Sequence, residues 1–280
     1  MIICVDLGNT STALGVLEGT SVKRFWRIMT QERSSDEYAL LIGSLLEKEG
    51  IAKGTLRMAG ICSVVPSETR HMIDAFRVNL GIRAEVLDAG LNCGIRVLTD
   101  NPAEVGTDRI ANAVGTFYEY GGPAIVVDIG TATTFDYISD KGEYLGGVIA
   151  PGMLAGAKDL WHRARMLPAV EVRKPSKVIG TSTVQCMQSG IFYGNVAQIE
   201  GVVRRMWGEI GGRCQVIMTG GWAGLIWKHL TFETLFDLHL TLKGIAYALD
   251  GGLRKKGTAA LSGRPKKGRP GKAMKKKGKE

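Results

Sequence analysis

Two short segments combine an aspartate, a glycine and small hydroxyl side chains in one frame. Asp6–Thr12 reads DLGNTST and Asp128–Thr134 reads DIGTATT, so both fit Asp–apolar–Gly–x–x–x–Thr. Each follows an apolar run that predicts a strand. A glycine turn after a strand lets backbone N–H groups point at phosphate oxygens, because no Cβ obstructs them. The first aspartate can hold hydrated Mg²⁺, which favours carboxylate and water oxygens. One such turn alone is typical of an ordinary hairpin, whereas two in the same frame indicate a nucleotide phosphate site.

The elements that position these turns alternate between short apolar strands and amphipathic helices. The two aspartates are 122 positions apart, about half of the 250 residues that precede a basic tail. This placement predicts an α/β fold made of two duplicated halves, residues 1–115 and 116–250, around a central cleft. Helical spacing or a leading proline predicts helices over Ser34–Glu49, Pro66–Asn79, Pro102–Glu119, Val184–Trp207 and Leu240–Ala248.

Composition narrows the function classes. The chain is 45% hydrophobic and 22% charged, which is typical of a globular protein and excludes a collagenous or coiled-coil one. The net charge of +9 belongs to the tail, since residues 251–280 hold 12 Lys or Arg and a single acidic residue. The first 250 residues hold 24 basic and 26 acidic residues, so the folded part has no electrostatic footprint for nucleic acid.

The tail and the remaining sequence signals predict where the protein works. Residues 251–280 contain few large apolar side chains, so we expect a disordered basic extension that could contact nucleic acid or an anionic surface weakly. Five scattered cysteines without a CxxC pair favour reduced thiols. No apolar run reaches the length of a membrane span. We therefore expect a cytoplasmic protein.

An ordered set of motifs resembles one family. The segments are DLGNT (6–10), EVGTDR (104–109), VDIGTATTFD (127–136), GGVIAPG (146–152), IGTST (179–183), MQSGIFYG (187–194) and TGG (219–221). In order and spacing they resemble the type III pantothenate kinases, of the superfamily of acetate and sugar kinases, Hsp70 and actin, with ribonuclease H-like halves. The resemblance covers about residues 1–248. It implies ATP-dependent phosphorylation of the 4′-hydroxyl of pantothenate, the first step of coenzyme A biosynthesis.

The resemblance also implies residue roles. Asp108 would be the general base that takes the hydroxyl proton, and Asp128 would bind a monovalent cation, K⁺ or NH₄⁺. ATP would contact Asp6, which also holds Mg²⁺ through water, together with Leu7, Gly8, Asn9, Thr10, Ser11, Thr12, Ala13 and Thr131. Pantothenate would contact Thr99, Gly106, Thr107, Asp108, Arg109 and, from the partner subunit of a homodimer, the residue matching Thr183.

Each motif also has a plainer interpretation when it is considered alone. EVGTDR is compatible with an ordinary helix start in which Asp108 and Arg109 form a surface ion pair. Asp128 could cap its turn, and Thr183 could cap a helix. Departures from the family pattern are Thr99, where many members have Tyr, and Thr107, where Ala is usual. Two alternative functions stay open: a kinase for another carboxylated alcohol, and a non-catalytic or dual-role transcription accessory factor.

Overall fold

The computed structural model describes residues 1–87, 93–164 and 166–249 of the chain. The predicted basic tail, residues 251–280, lies outside the described residues. The described chain divides into two compact units. The first contains residues 1–87, 93–121, 142–144 and 239–249, and the second contains residues 122–141, 145–164 and 166–238.

The first unit is built on a five-stranded mixed sheet. Its strands are ordered β3-β2-β1-β4-β5, where β1 is Ile2–Leu7, β2 Ser11–Glu18, β3 Ser21–Met29, β4 Ala59–Ser63 and β5 Ala84–Val86. A two-residue strand, β6 (Arg96–Val97), pairs in parallel with Glu143 and Tyr144. The helices are α1 (Ser35–Lys48), α2 (Pro66–Asp74), α3 (Thr107–Tyr120) and α7 (Leu240–Leu249), with 3₁₀ turns at Lys53–Thr55 and Pro102–Glu104 and a π-helical turn at Ala75–Asn79.

The second unit is built on a sheet of the same design. Its strands are ordered β9-β8-β7-β10-β11, where β7 is Ala124–Ile129, β8 Ala132–Ile138, β9 Glu143–Pro151, β10 Gln215–Thr219 and β11 Leu235–Phe236. The first two residues of β9, Glu143 and Tyr144, are the pair that the first unit contains. The helices are α4 (Met153–Arg163), α5 (Thr183–Ile210) and α6 (Ala223–Ile226), with a 3₁₀ turn at Trp227–His229.

The two sheets share one topology, which confirms the predicted duplicated α/β fold. In each, the first strand pairs antiparallel with the next strand and parallel with the strand that follows a helix. The first strands also share a burial pattern: five residues of each are buried, and Asp6 in β1 and Asp128 in β7 are half-buried. Each aspartate is the fifth residue of its six-residue strand, just before the glycine turn.

Helix α7 packs in the first unit, although the sequence prediction placed residues 239–249 with the second half. The reason is a close crossing with α3 at two glycines. A Cβ on Gly115 would lie 2.6 Å from the Leu240 carbonyl oxygen, and a Cβ on Gly244 would overlap the Ala111 carbonyl oxygen. The two helix backbones therefore touch where neither has a side chain.

The predicted helix over Pro102–Glu119 is wrong at its start. The chain makes a 3₁₀ turn at Pro102–Glu104, leaves helical geometry at Val105 and Gly106, and begins α3 at Thr107. Val105 and Gly106 both adopt extended ψ values, 123° and 138°. This break puts Asp108 in the first turn of a new helix, where the exposed N–H groups and helix dipole favour an acidic side chain.

Candidate active site

The first glycine turn joins β1 to β2. The Gly8 N–H donates to the Ser11 carbonyl at 3.2 Å and closes the turn. A Cβ on Gly8 would lie only 3.0 Å from that same oxygen, so the tight closure favours glycine. Asn9 is exposed, and Thr10 and Ser11 are half-buried. These three residues form the accessible tip of the turn, where the sequence predicts phosphate contacts.

The flanking residues of the predicted phosphate set face the interior. Leu7 is 0% exposed and Ala13 is 6% exposed, so both can offer a ligand little beyond their backbone. Thr12 is also fully buried, and its hydroxyl lies 2.9 Å from the Thr30 hydroxyl. The Thr12 side chain thus supports the turn from beneath.

Asp108 is the second residue of α3 and is half-buried. Its Oδ1 accepts a hydrogen bond from the Arg109 N–H at 2.8 Å, which fixes the carboxylate at the helix start. Burial raises the pKa of Asp108 above its usual range, while this hydrogen bond and the positive charge of Arg109 oppose the rise. A carboxyl group of raised pKa is a stronger proton acceptor when it is ionised.

Cys62, on β4, shows that two of the predicted acidic groups share one neighbourhood. Burial raises the pKa of the Cys62 thiol well above its usual range, and the negative charges of Asp6 and Asp108 raise it further. The thiol donates to the Thr107 hydroxyl at 3.2 Å, and that hydroxyl donates to the Ser63 carbonyl at 3.0 Å. The ends of β1 and β4 and the start of α3 therefore bring Asp6 and Asp108 close to one neutral thiol.

Arg109 and Thr99 lie near a second buried side chain, Tyr144. The Arg109 guanidinium lies over the Tyr144 ring at 5.7 Å from its centroid, within the range of a cation–π interaction. The Leu98 N–H donates to the Tyr144 carbonyl at 2.8 Å, which fixes the chain just before Thr99. The Thr99 hydroxyl oxygen is buried and has no hydrogen-bond partner among the described residues. A buried hydroxyl without a partner is costly and is a candidate ligand contact.

The second glycine turn, in the second unit, joins β7 to β8. The Gly130 N–H donates to the Ala132 carbonyl at 2.9 Å, and Thr131 at the tip is exposed. Gly220 follows β10 with φ +94°, and a Cβ there would overlap Asp128 Oδ1 and lie 2.6 Å from the Ile129 nitrogen. Asp128 therefore rests against a stretch of backbone that accepts no side chain.

Thr183 is the first residue of α5 and is exposed. It does not cap the helix, because the N-cap is Ser182, whose hydroxyl accepts from the Gln185 N–H at 3.3 Å. Gln185 Oε1 also accepts from the Thr181 N–H and hydroxyl, both at 2.9 Å. The predicted substrate residue thus stands on a well-fixed helix start with its side chain at the surface.

The described residues contain no group of three or more His, Cys, Asp or Glu side chains able to hold a metal ion. A hydrated Mg²⁺ needs only one or two protein carboxylates, and Asp6 can supply one. None of the described helices is long and apolar enough to cross a bilayer.

Comparison with known proteins decides the family. The sequence model of type III pantothenate kinases matches residues 2–205. A type III pantothenate kinase from Moorella thermoacetica is 43% identical over 246 residues, which cover 88% of this chain and 97% of the relative. The chain belongs to the type III pantothenate kinase family.

Several solved structures are similar to this chain in fold. A Campylobacter jejuni protein described as a Baf family transcriptional activator gives a TM-score of 0.56 at 18% identity, covering 90% of this chain and 100% of the other. A ROK family glucokinase from Streptomyces griseus, in complex with glucose and AMPPNP, gives 0.52 at 14% identity, covering 89% and 98%. At such low identity these likenesses establish the fold alone, which is that of the actin-like ATPases.

Sequence reasoning missed several residues that lie beside the predicted site residues. Cys62, Thr30 and Tyr144 contact or adjoin predicted site residues through tertiary structure, and none lies in a segment with a chemical signature. The TGG segment belongs to the motif set that resembles the family, and its Gly220 leaves room for the Asp128 carboxylate.

Proposed function

We propose that this type III pantothenate kinase transfers the γ-phosphoryl group of ATP to the 4′-hydroxyl of pantothenate, with Asp108 as general base. The observation that carries this proposal is the placement of Asp108, held by the Arg109 N–H at the start of α3 and sharing a neighbourhood with Asp6. A primary alcohol must lose its proton as it accepts the phosphoryl group. A fixed carboxylate with a raised pKa is suited to receive that proton.

The first glycine turn is proposed to hold the ATP phosphates. The accessible tip at Asn9, Thr10 and Ser11 can offer polar groups, while Leu7, Gly8 and Ala13 contribute backbone and shape. Thr12 is proposed to act through the turn rather than by contact, since its hydroxyl faces Thr30. Asp6 would orient a hydrated Mg²⁺, whose chemistry is to neutralise charge that develops on the phosphates.

The second turn is proposed to serve ATP and a monovalent cation. Thr131 is exposed at its tip and can reach a ligand. The Asp128 carboxylate and nearby turn carbonyls are the hard oxygen donors that K⁺ or NH₄⁺ requires. Gly220 supports this role, because the space beside Asp128 is kept clear of any side chain.

Arg109 is proposed to bind the pantothenate carboxylate through a bidentate fork. Stacking on Tyr144 limits the freedom of the guanidinium before substrate arrives. Thr99 would offer its buried hydroxyl to the same ligand, in place of the Tyr of many members. Gly106 and Thr107 would shape the pocket beside Asp108.

A homodimer is proposed to complete the pocket through Thr183. The support is the surface of the second unit near this residue in sequence, where large apolar side chains are exposed: Val178 is 61% exposed and Ile179 is 84% exposed. Exposed apolar side chains of this kind mark interaction surfaces. The cytoplasm, which supplies ATP and K⁺, is the proposed location.

The test is ADP release by the purified full-length protein with pantothenate, with other carboxylated alcohols, and without any acceptor. We expect release only with pantothenate, and a marked increase when K⁺ replaces Na⁺. Release with another acid but not with pantothenate would favour the alternative kinase. If the rate of ADP release is the same with K⁺ and with Na⁺, Asp128 does not have the proposed cation role.

The basic tail is proposed as a separate module that contacts nucleic acid or an anionic surface through its 12 Lys and Arg residues. Truncation after Asp250 should abolish salt-sensitive binding to a DNA oligonucleotide and leave pantothenate-dependent turnover within about twofold. A truncated protein that still binds the DNA equally well would contradict this separation.

A further inference from the structure

Thr30, the residue after β3, contacts the first glycine turn at three points. Its hydroxyl donates to the Gly8 carbonyl at 2.7 Å, and its N–H donates to the Thr10 carbonyl at 3.1 Å. The same hydroxyl lies 2.9 Å from the Thr12 hydroxyl. One residue at the end of a neighbouring strand thus contacts the turn at its glycine and base through its side chain and at its tip through its backbone N–H.

The single hydroxyl hydrogen of Thr30 fixes the direction of these side-chain hydrogen bonds. Thr30 has one hydroxyl hydrogen, and the Gly8 carbonyl accepts it. The Thr12 hydroxyl must then be the donor in the pair with Thr30. The hydrogen bonds therefore run from the Thr12 hydroxyl to the Thr30 hydroxyl and from there to the Gly8 carbonyl. They orient the peptide that links Gly8 to Asn9.

The segment that follows Thr30 is held by a buried carboxylate. Glu68, on α2, is 4% exposed and accepts from the Arg33 N–H at 3.1 Å and from the Tyr38 hydroxyl at 2.9 Å. Arg33 is only three positions after Thr30, so this contact ties the segment that leaves β3 to α2. A segment fixed at both ends can hold the turn more rigidly than a free strand end.

We propose that Thr30 is a positioning residue for ATP: it holds the first glycine turn in the conformation that receives the phosphates. This inference rests on the proposed function of the turn. Because Thr30 acts on the turn and not on the acceptor, its loss should weaken ATP binding while leaving pantothenate binding and the chemical step nearly unchanged. A purely structural role would lower stability and all kinetic parameters together.

The experiment compares Thr30→Val, which keeps the shape and removes the hydroxyl, with Thr30→Ser, which restores the hydroxyl. We expect Thr30→Val to raise the KM for ATP about tenfold, equivalent to about 1.4 kcal/mol, with kcat at saturating ATP and the KM for pantothenate within about twofold. Thr30→Ser should return the KM for ATP to within about threefold of wild type. The matched control is Thr55→Val, which removes a hydroxyl-to-carbonyl bond of equal length, 2.7 Å to Ala52, next to the opposite end of β1.

Calorimetric binding of a non-hydrolysable ATP analogue separates this proposal from the proposed function, because it needs no acceptor. A Thr30→Val protein that binds the analogue as tightly as wild type overturns the positioning role, even if the enzyme phosphorylates pantothenate. So does a Thr30→Ser protein as impaired as Thr30→Val, or a parallel loss in every parameter. If Thr30→Val does not fold, Thr30→Ala gives the same comparison, and failure of both to fold assigns Thr30 to stability alone and overturns the proposal.

Discussion

Gly106→Ala displaces the Asp108 carboxylate without removing it, so this substitution tests whether the position of Asp108 matters. Gly106 is the N-cap of α3 with φ −55° and ψ 138°, a conformation that alanine adopts without strain. The Cβ of an alanine there would lie 2.5 Å from Asp108 Oδ1, and the nearest atom of any other residue, Val64 Cγ1, is 3.9 Å away. The substitution therefore acts almost entirely on the carboxylate.

The size of the effect follows from that contact. Close carbon–oxygen contacts lie at about 3.3 Å, so the Asp108 carboxylate must move by roughly 0.8 Å. The move also strains its 2.8 Å hydrogen bond from the Arg109 N–H. A misplacement of about 1 Å in a catalytic group costs about 100-fold, so we expect kcat to fall by roughly 30- to 100-fold. Alanine is a poor N-cap, which adds a stability loss of about 1 kcal/mol, or about 2–4 °C in Tm.

The assay is pantothenate-dependent ADP release at saturating ATP, together with thermal unfolding. Gly43→Ala is the matched control, because a Cβ in that helix meets only Leu80 Cδ2 at 3.9 Å. We expect this control to retain full turnover and to gain slightly in stability. A Gly106→Ala enzyme with turnover within threefold of wild type would refute the argument that the Asp108 position sets the rate.

Three further predictions concern the acidic groups. Burial raises the pKa of Asp108, and a base works only when it is ionised, so kcat/KM should fall as the pH drops through that raised pKa; a rate that rises on acidification would assign Asp108 another role. Because its pKa is raised, the folded state binds a proton at Asp108 more tightly than the unfolded state does. The stability that this protonation contributes is lost as the pH rises through the folded pKa. Asp108→Asn should therefore melt at or above the wild-type Tm at neutral pH. Gly220→Ala places a Cβ against Asp128 and the Ile129 backbone at φ +94°, so it should destabilise the fold by at least about 2 kcal/mol and weaken K⁺ activation; equal activation by K⁺ in a folded variant would contradict the cation site.

The sequence was sufficient to predict the duplicated α/β fold, because the two turns repeat both in residue type and in spacing. It also placed Asp6 and Asp128 at equivalent strand ends, since each apolar run ends at its turn signal. The sequence did not predict where helices and strands end or which of them pack against each other. The start of α3 was misplaced because Pro102 is a strong helix-start signal, and the 3₁₀ turn that it begins does not continue into the helix.

Residues that act through tertiary contacts left no local signal. Helix α7 lies in the first unit because Gly115 and Gly244 let two backbones touch, a pairing that no periodicity reveals. Thr30 reads as an ordinary strand end, yet it contacts three residues of the glycine turn. Helix α4 was not predicted at all, because Gly156 interrupts its short amphipathic pattern.

The most direct test of the central claim is the turnover of Asp108→Asn with ATP and pantothenate, measured beside its affinity for a non-hydrolysable ATP analogue. Asparagine keeps the shape of the side chain and removes its ability to accept the hydroxyl proton. The account predicts a fall in kcat of about 10²- to 10⁴-fold with analogue affinity within about threefold of wild type. A variant that retains more than a tenth of wild-type turnover would contradict the assignment of Asp108 as the base.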